Sequence, residues 1–172
     1  MSSNLVIYYS RKGQNYLNGA IVDLEKGNAE MLAEFISEAT GADVFEIRPV
    51  EEYPEDYTEC TEVAKEELRN NDRPRLEEYL DSLDGYENVF IVGPCWWGTF
   101  PMAMYTQLEE LDFKGIKVFP VMTHEGSGLG SCERDLKKMC SRAKVKKGLA
   151  VQGSVVAESE ERVKSWALGC IR

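Results

Sequence analysis

Trp96 and Trp97 stand side by side in Gly93-Pro94-Cys95-Trp96-Trp97-Gly98, a turn that follows the apolar run Val89-Phe90-Ile91-Val92. Flat, electron-rich indoles suit stacking on an aromatic ring system, and two of them in a Pro/Gly loop are hard to bury together because loops run over the surface. They either wall a concave site for a flat ligand or cap the core. A second unusual stretch is Thr123-His124-Glu125-Gly126-Ser127-Gly128-Leu129-Gly130-Ser131. Three glycines within five positions demand unusual backbone freedom or close approach to a ligand, whose edge the turn's backbone groups would meet. The third set is Ser10 and Lys12 after an apolar run, with Asn28 and Ala29 at the start of a helical pattern. Hydroxyls, free N–H groups and a helix dipole at such a point favour a phosphate. A phosphate anchor, an aromatic wall and a glycine-rich edge together describe a mononucleotide with a large flat base.

Two residues invite a catalytic reading. His124, the only histidine, could donate a proton to a bound ligand; the plainer reading is a loop histidine bonded to backbone. Cys95 has no cation near it in sequence to favour a thiolate, so it reads as a small loop residue.

The elements that must hold these loops alternate in type. Leu5-Val6-Ile7-Tyr8-Tyr9 reads as a strand, and Leu32, Phe35, Ile36 and Ala39 recur at helical spacing, with Asn28 as N-cap and Gly41 as stop. Between them, Gln14 to Gly27 is longer than a usual strand-to-helix connection. Its Asn18-Gly19, flanked by Tyr16-Leu17 and Ala20-Ile21-Val22, predicts a small hairpin, either a surface excursion or a cover for the ligand. Ala42 to Ile47 alternates apolar and acidic residues as an edge strand would. From Glu51 to Glu67 the chain carries eight carboxylates against Lys65 alone, a solvated face and at most a docking patch, with a helix from Thr58 onward. Arg73 to Leu83 is expected to add a second short helix. Val89 to Gly93 is a buried strand; Met104, Leu108 and Leu111 mark a helix with Pro101 near its start. Ile116 to Met122 is a strand, Leu136, Met139 and Cys140 mark a helix, Gly148 to Val151 is the last strand, and Val163, Trp166, Ala167 and Cys170 mark a closing helix.

Alternation of this kind predicts an α/β fold: a five-stranded parallel sheet with helices on both faces, formed by residues 1–172 as one domain. Ligands of such sheets bind outside the carboxyl ends of the strands, at the switch point of the strand order. The three unusual loops follow the first, third and fourth strands.

Composition narrows the partners. The chain of 172 residues has a formal net charge of −10, which repels phosphate-rich surfaces and argues against nucleic acid or anionic membrane. No apolar run approaches membrane-spanning length, and the N-terminus lacks a signal-peptide pattern. Five scattered cysteines without C-x-x-C spacing suit a reducing, cytoplasmic location. With one histidine, no metal site is expected.

The runs Leu5 to Gly13, Gly27-Asn28-Ala29, Gly93 to Gly98 with Pro101, and Thr123 to Ser131 resemble a bacterial flavodoxin-family protein over nearly the whole chain. The last strand is short, without the insertion of the long-chain type, which places the resemblance with the short-chain type, with an added loop that splits the first loop. It implies a flavodoxin-like fold binding FMN without a covalent bond, as a monomer or weak dimer. Ser10, Lys12, Asn28 and Ala29 would hold the phosphate, and Pro94, Cys95, Trp96, Trp97 and Gly98 would contact the isoalloxazine. Thr123, His124, Glu125, Gly126, Ser127 and Gly128 would complete the flavin loop. The Trp97–Gly98 peptide is expected to reorient toward flavin N5, since glycine tolerates either backbone conformation. The function implied is one- or two-electron transfer to redox partner proteins with basic docking surfaces. Two alternatives stand: an NAD(P)H-dependent FMN or quinone reductase, and a flavin-free binding domain on the same fold.

Overall fold

The computed structural model describes residues 2–172. Its main sheet is parallel throughout. Strand β1 (Asn4–Tyr8) lies between β4 (Asp43–Glu46) and β5 (Asn88–Pro94), and β6 (Lys117–His124) follows β5. The fifth position is shared: β7 (Lys144–Val145) pairs with the start of β6 and β8 (Leu149–Gln152) with its end. The five positions expected are therefore filled by six strands, because the last strand is broken between Val145 and Leu149. The alternating edge strand predicted at Ala42 to Ile47 is β4, at the sheet's margin.

The pleat sorts the apolar runs into two cores. Leu5, Ile7, Val89, Ile91, Val118 and Met122 face one side, where Met104 and Leu108 of helix α3 (Met102–Leu108) and Leu136 of α4 (Cys132–Met139) cover them. Val6, Tyr8, Phe90, Val92, Phe119 and Val121 face the other, under Leu32, Ala33 and Ile36 of α1 (Asn28–Thr40) and Val163 and Ala167 of α5 (Glu160–Cys170). Strands apolar on both faces are what a parallel sheet between two helical layers requires.

Three local expectations need correction or addition. The N-cap of α1 is Gly27, not Asn28, and no side chain of its own caps the helix. Ser10 Oγ accepts from Glu30 N–H at 3.0 Å instead, so a residue from the end of β1 supplies the cap. The stretch from Arg73 to Leu83 forms no helix. Its backbone is already satisfied elsewhere: Val50 N–H donates to Arg75 O, Glu77 N–H to Arg48 O, and Pro49 bridges Leu76. The fully buried side chain of Gln107 completes the account, accepting from Leu80 N–H at 2.7 Å and donating to Leu80 O at 3.0 Å. Finally, a 3-10 helix (Gly153–Glu158) that no sequence pattern announced joins β8 to α5. Helix α2 (Tyr57–Asn70) begins as expected and ends where Asn71 turns left-handed at φ 55°.

The predicted hairpin is present. Strands β2 (Gly13–Leu17) and β3 (Ala20–Leu24) pair antiparallel around Asn18 and Gly19, whose φ values of 50° and 85° suit a tight hairpin turn.

Gln107→Leu keeps the volume but leaves the Leu80 N–H and C=O unpaired. It should lower stability by about 1–3 kcal/mol, read as a lower denaturant midpoint with an unchanged slope.

Candidate functional site

The order in which strands are added reverses at β1: β4 lies on one side of it and β5 on the other. The loops after β1, β5 and β6 therefore meet at one end of the sheet.

The two halves of the first loop are in contact despite the insertion. A Cβ on Gly27 would lie 2.0 Å from Ser10 Oγ and 2.6 Å from Arg11 O, so only glycine lets the start of α1 sit against the end of β1. The hairpin leaves and rejoins the loop without parting its ends. With Glu30 N–H held by Ser10, the amides of Asn28 and Ala29 are the first-turn donors left for a ligand. Ala29 is buried and offers only its backbone. Lys12 is exposed; Arg11 instead turns inward, its guanidinium donating to Gln14 O and Glu55 O.

The tryptophans have different surroundings. Trp96 packs edge-on against Tyr9 and Tyr53, with ring centroids 5.3 and 4.8 Å away. Trp97 is 51% exposed, its indole N–H donating to Thr61 O of α2 at 2.9 Å and Lys65 lying over its ring. Residues 96–99 close a tight turn in which Trp96 N–H donates to Thr99 O, and Trp97 and Gly98 have φ of 56° and 87°. A bulky residue in left-handed backbone is strained by roughly 1–2 kcal/mol and persists only where neighbours fix it.

The third loop is what fixes it. Ser131 donates its N–H to Gly98 O at 2.7 Å. Gly130, at φ 52°, must lack a side chain, because a Cβ there would meet Gly98 O at 2.2 Å. Beneath the turn, Asp135 Oδ2 accepts from Ser131 Oγ at 2.6 Å and Thr99 Oγ1 at 2.7 Å, and Thr99 also bonds Tyr105. The glycine spacing signalled the unusual backbone of this loop; the approach of Gly130 to the Gly98 carbonyl and the Thr99–Tyr105–Ser131–Asp135 network had no sequence signal.

Among the other predicted residues, Cys95 N–H donates to Thr123 O, and Ser127 Oγ lies 3.1 Å from Cys95 Sγ, tying the second loop to the third. Pro94 pairs with Thr123 at the last rung of the β5–β6 ladder. Gly126 and Gly128 take φ of 134° and 63°. His124 Nδ1 accepts from Gly126 N–H at 2.9 Å, the plainer of its two readings. Burial lowers its pKa, with Glu125 pulling the other way. Glu125 reaches across to the hairpin, where its Oε1 accepts from Asn18 N–H at 2.6 Å.

The hairpin is held at three further points: Gln14 Oε1 accepts from Tyr57 N–H, Tyr16 stacks on Tyr57, and Leu17 crowds Gly153. It thus spans the site from α2 to the third loop.

Architecture and loops define the class: a doubly wound α/β protein whose three loops converge at the switch point of the strand order. The sequence model of the family described as Flavodoxin matches residues 22–168, and the chain belongs to that family. Among solved structures it is similar to a protein from Bacteroides uniformis described as a flavoprotein, with 26% identity, TM-score 0.71, and coverage of 95% of this chain and 96% of that one. A second, from Bacteroides eggerthii and described in the same words, has 24% identity, TM-score 0.77 and coverage of 100% and 99%. A flavoprotein from Lactobacillus acidophilus, solved in complex with FMN, has 17% identity, TM-score 0.66 and coverage of 94% and 99%. No curated protein matches the chain. Among the described residues, no helix is long and apolar enough to cross a membrane.

A histidine whose folded pKa lies below its unfolded value of about 6.5 stabilises the fold above that value. The contribution is lost as pH falls through the folded pKa. His124→Gln should therefore flatten the stability profile below about pH 6.5, measured as midpoint against pH.

Proposed function

We propose that this chain is an FMN-binding electron carrier whose acidic helix α2 receives basic redox partners beside the flavin. The residues present fit the cofactor on three counts. A cradle formed by Gly27 against Ser10 presents the Asn28 and Ala29 amides. A half-exposed indole stands on a strained turn. One carboxylate oxygen, Glu125 Oε2, is buried with no protein partner. Bound FMN supplies one- or two-electron redox chemistry, and the protein binds, orients and tunes it.

Asn28 and Ala29 N–H, the Ser10 hydroxyl and Lys12 would hold the phosphate, with the α1 dipole favouring its charge. Pro94, Cys95, Trp96, Trp97 and Gly98 would form the aromatic side of the site, with Trp96 braced by Tyr9 and Tyr53 so that Trp97 keeps its position. Residues Thr123 to Gly128 would meet the ring edge through backbone groups. Ser131 N–H holds the carbonyl of Gly98, and on the other side of Gly98 the Trp97–Gly98 peptide would turn toward the flavin. Net charge of −10 opposes the build-up of negative charge at the site.

The observation that carries the carrier reading is the bond from Trp97 Nε1 to Thr61 O. It lays α2, with exposed Glu59, Glu62 and Glu66, along the rim of the tryptophan turn. A basic partner steered by those carboxylates arrives next to the half-exposed indole.

One observation favours a second reading, an NAD(P)H-dependent FMN or quinone reductase: the hairpin spans the site and could wall a substrate pocket. Anaerobic addition of NADPH to the FMN-loaded protein decides between them. Unassisted bleaching of the flavin band would establish the reductase.

Purified protein should quench FMN fluorescence with one-to-one stoichiometry. Absence of quenching would return the chain to a flavin-free binding role. Replacing Glu59, Glu62 and Glu66 by lysine should slow reduction by a basic partner reductase at least tenfold at low salt, shrink its salt dependence, and leave FMN affinity unchanged. Equal rates for both proteins would remove α2 from the docking surface.

A further inference from the structure

We propose that the β2–β3 hairpin carries the apolar centre of a docking surface: Tyr16 and Ile21 seat an apolar patch, ringed by lysines and arginines, on a basic redox protein. This rests on the carrier reading and deepens it, adding an apolar contact to the charge that α2 supplies.

The ladder of the hairpin decides which side chains share a face. Residues alternate along a strand and directly opposed residues point the same way, so Gln14 and Tyr16 of β2 lie with their partners Asp23 and Ile21 of β3. That face is turned toward α2. Gln14 Oε1 accepts from Tyr57 N–H at 2.8 Å, and the Tyr16 ring stacks on the Tyr57 ring with centroids 6.0 Å apart. One helical turn further along, Thr61 O receives the indole N–H of Trp97. Ile21, Tyr16, Tyr57 and Trp97 thus form one strip, running from the hairpin across the start of α2 to the tryptophan turn.

The strip is open to solvent. Ile21 is 52% exposed, Tyr16 43% and Trp97 51%. Single exposed apolar residues are ordinary, whereas several in one contiguous patch with a polar border mark a surface that another protein covers. The border here is acidic. Asp23 shares the hairpin face, and Glu55, Asp56, Glu59 and Glu62 are exposed on and just before α2. Aromatic residues at the centre and charges at the rim compose an interface hot spot. A second copy of this chain would set its own carboxylates against these, with a net charge of −10 on each, so the occupant is a basic protein. Lys65 already lies over the Trp97 ring, which leaves Tyr16 and Ile21 as the uncovered part of the strip. Carboxylates then steer the partner in and set the salt dependence. Apolar contact, which salt does not screen, holds it there.

The test takes the FMN-loaded full chain, reduced anaerobically, and mixes it with oxidised cytochrome c as the basic redox protein. One electron passes from the reduced flavin to each haem iron, and the rate is read from haem absorbance. Wild type, I21S, Y16S and V44S are compared at low and at high salt. Val44 is 49% exposed on β4, beside Ala33 of α1, and serves as an apolar control outside the strip. I21S and Y16S should each raise the half-saturating cytochrome concentration roughly fivefold or more, by the same factor at both salt concentrations. FMN affinity should stay as in the wild type, and V44S should behave as the wild type throughout. Because Tyr16 also stacks on Tyr57, the thermal midpoint is recorded for each variant and I21S is the deciding one. Unchanged half-saturation in I21S overturns the proposal while the carrier reading stands, since the wild type still delivers electrons. A loss that vanishes at high salt assigns the effect to charge and overturns it equally. Sedimentation showing a dimer that I21S dissociates gives the strip to a second copy, and again overturns it. A wild type that binds FMN yet reduces no cytochrome refutes the carrier reading, and the docking surface with it.

Discussion

The parallel pairing of β1 with β5, in which Tyr8 lies opposite Val92 and Tyr9 N–H donates to Val92 O, is the constraint on which the rest depends. It ends two strands side by side, so that the chain leaves the sheet twice at adjacent places. One exit is the cradle of Ser10 and Gly27; the other is the tryptophan turn. Pairing of Pro94 with Thr123 on β6 extends the line by one strand, and the third loop comes into register with the second. No loop needs to find its partner. Apolar residues on both faces of these three strands hold the register, because a slip by one residue would exchange the two cores.

Above that line, backbone meets backbone more than side chain meets side chain. Glycine at 27 lets the start of a helix rest on the end of a strand, and glycine at 130 lets one turn rest on the carbonyl of another. Contacts this close position the loops to within the thickness of a hydrogen bond, and they spend the left-handed conformations of Trp97 and Gly98 on a surface directed outward. Asp135 then supplies from below what the exposed turn cannot supply for itself.

What the sequence made legible follows from how local each signal is. Strand order class, the hairpin at Asn18-Gly19, the left-handed stop at Gly41 and the three loops were all readable, since each rests on a short pattern of apolar spacing or turn residues. The segment from Arg73 to Leu83 was not, because its backbone partners are Arg48, Val50 and the side chain of Gln107, far away in sequence. The cap of α1 was misplaced for the same reason: its hydroxyl comes from Ser10, not from Asn28. Within the candidate site the glycines announced themselves, while the Tyr9–Tyr53–Trp96 cluster and the bond from Asn18 to Glu125 depend on tertiary neighbours that no spacing encodes.

The contact of Arg11 O with Gly27 has a further meaning. The twelve-residue span of the hairpin, Gly13 to Leu24, begins and ends at a closed neck, so its length is decoupled from the path of the main chain. Closing a loop whose ends are already held together adds only a slowly growing entropic cost with each added residue. The neck is therefore a grafting point. A longer, shorter or differently charged ribbon could replace this one while β1, α1 and their shared cradle stay as they are, and the fold can change what reaches over its functional end without renegotiating the sheet beneath it.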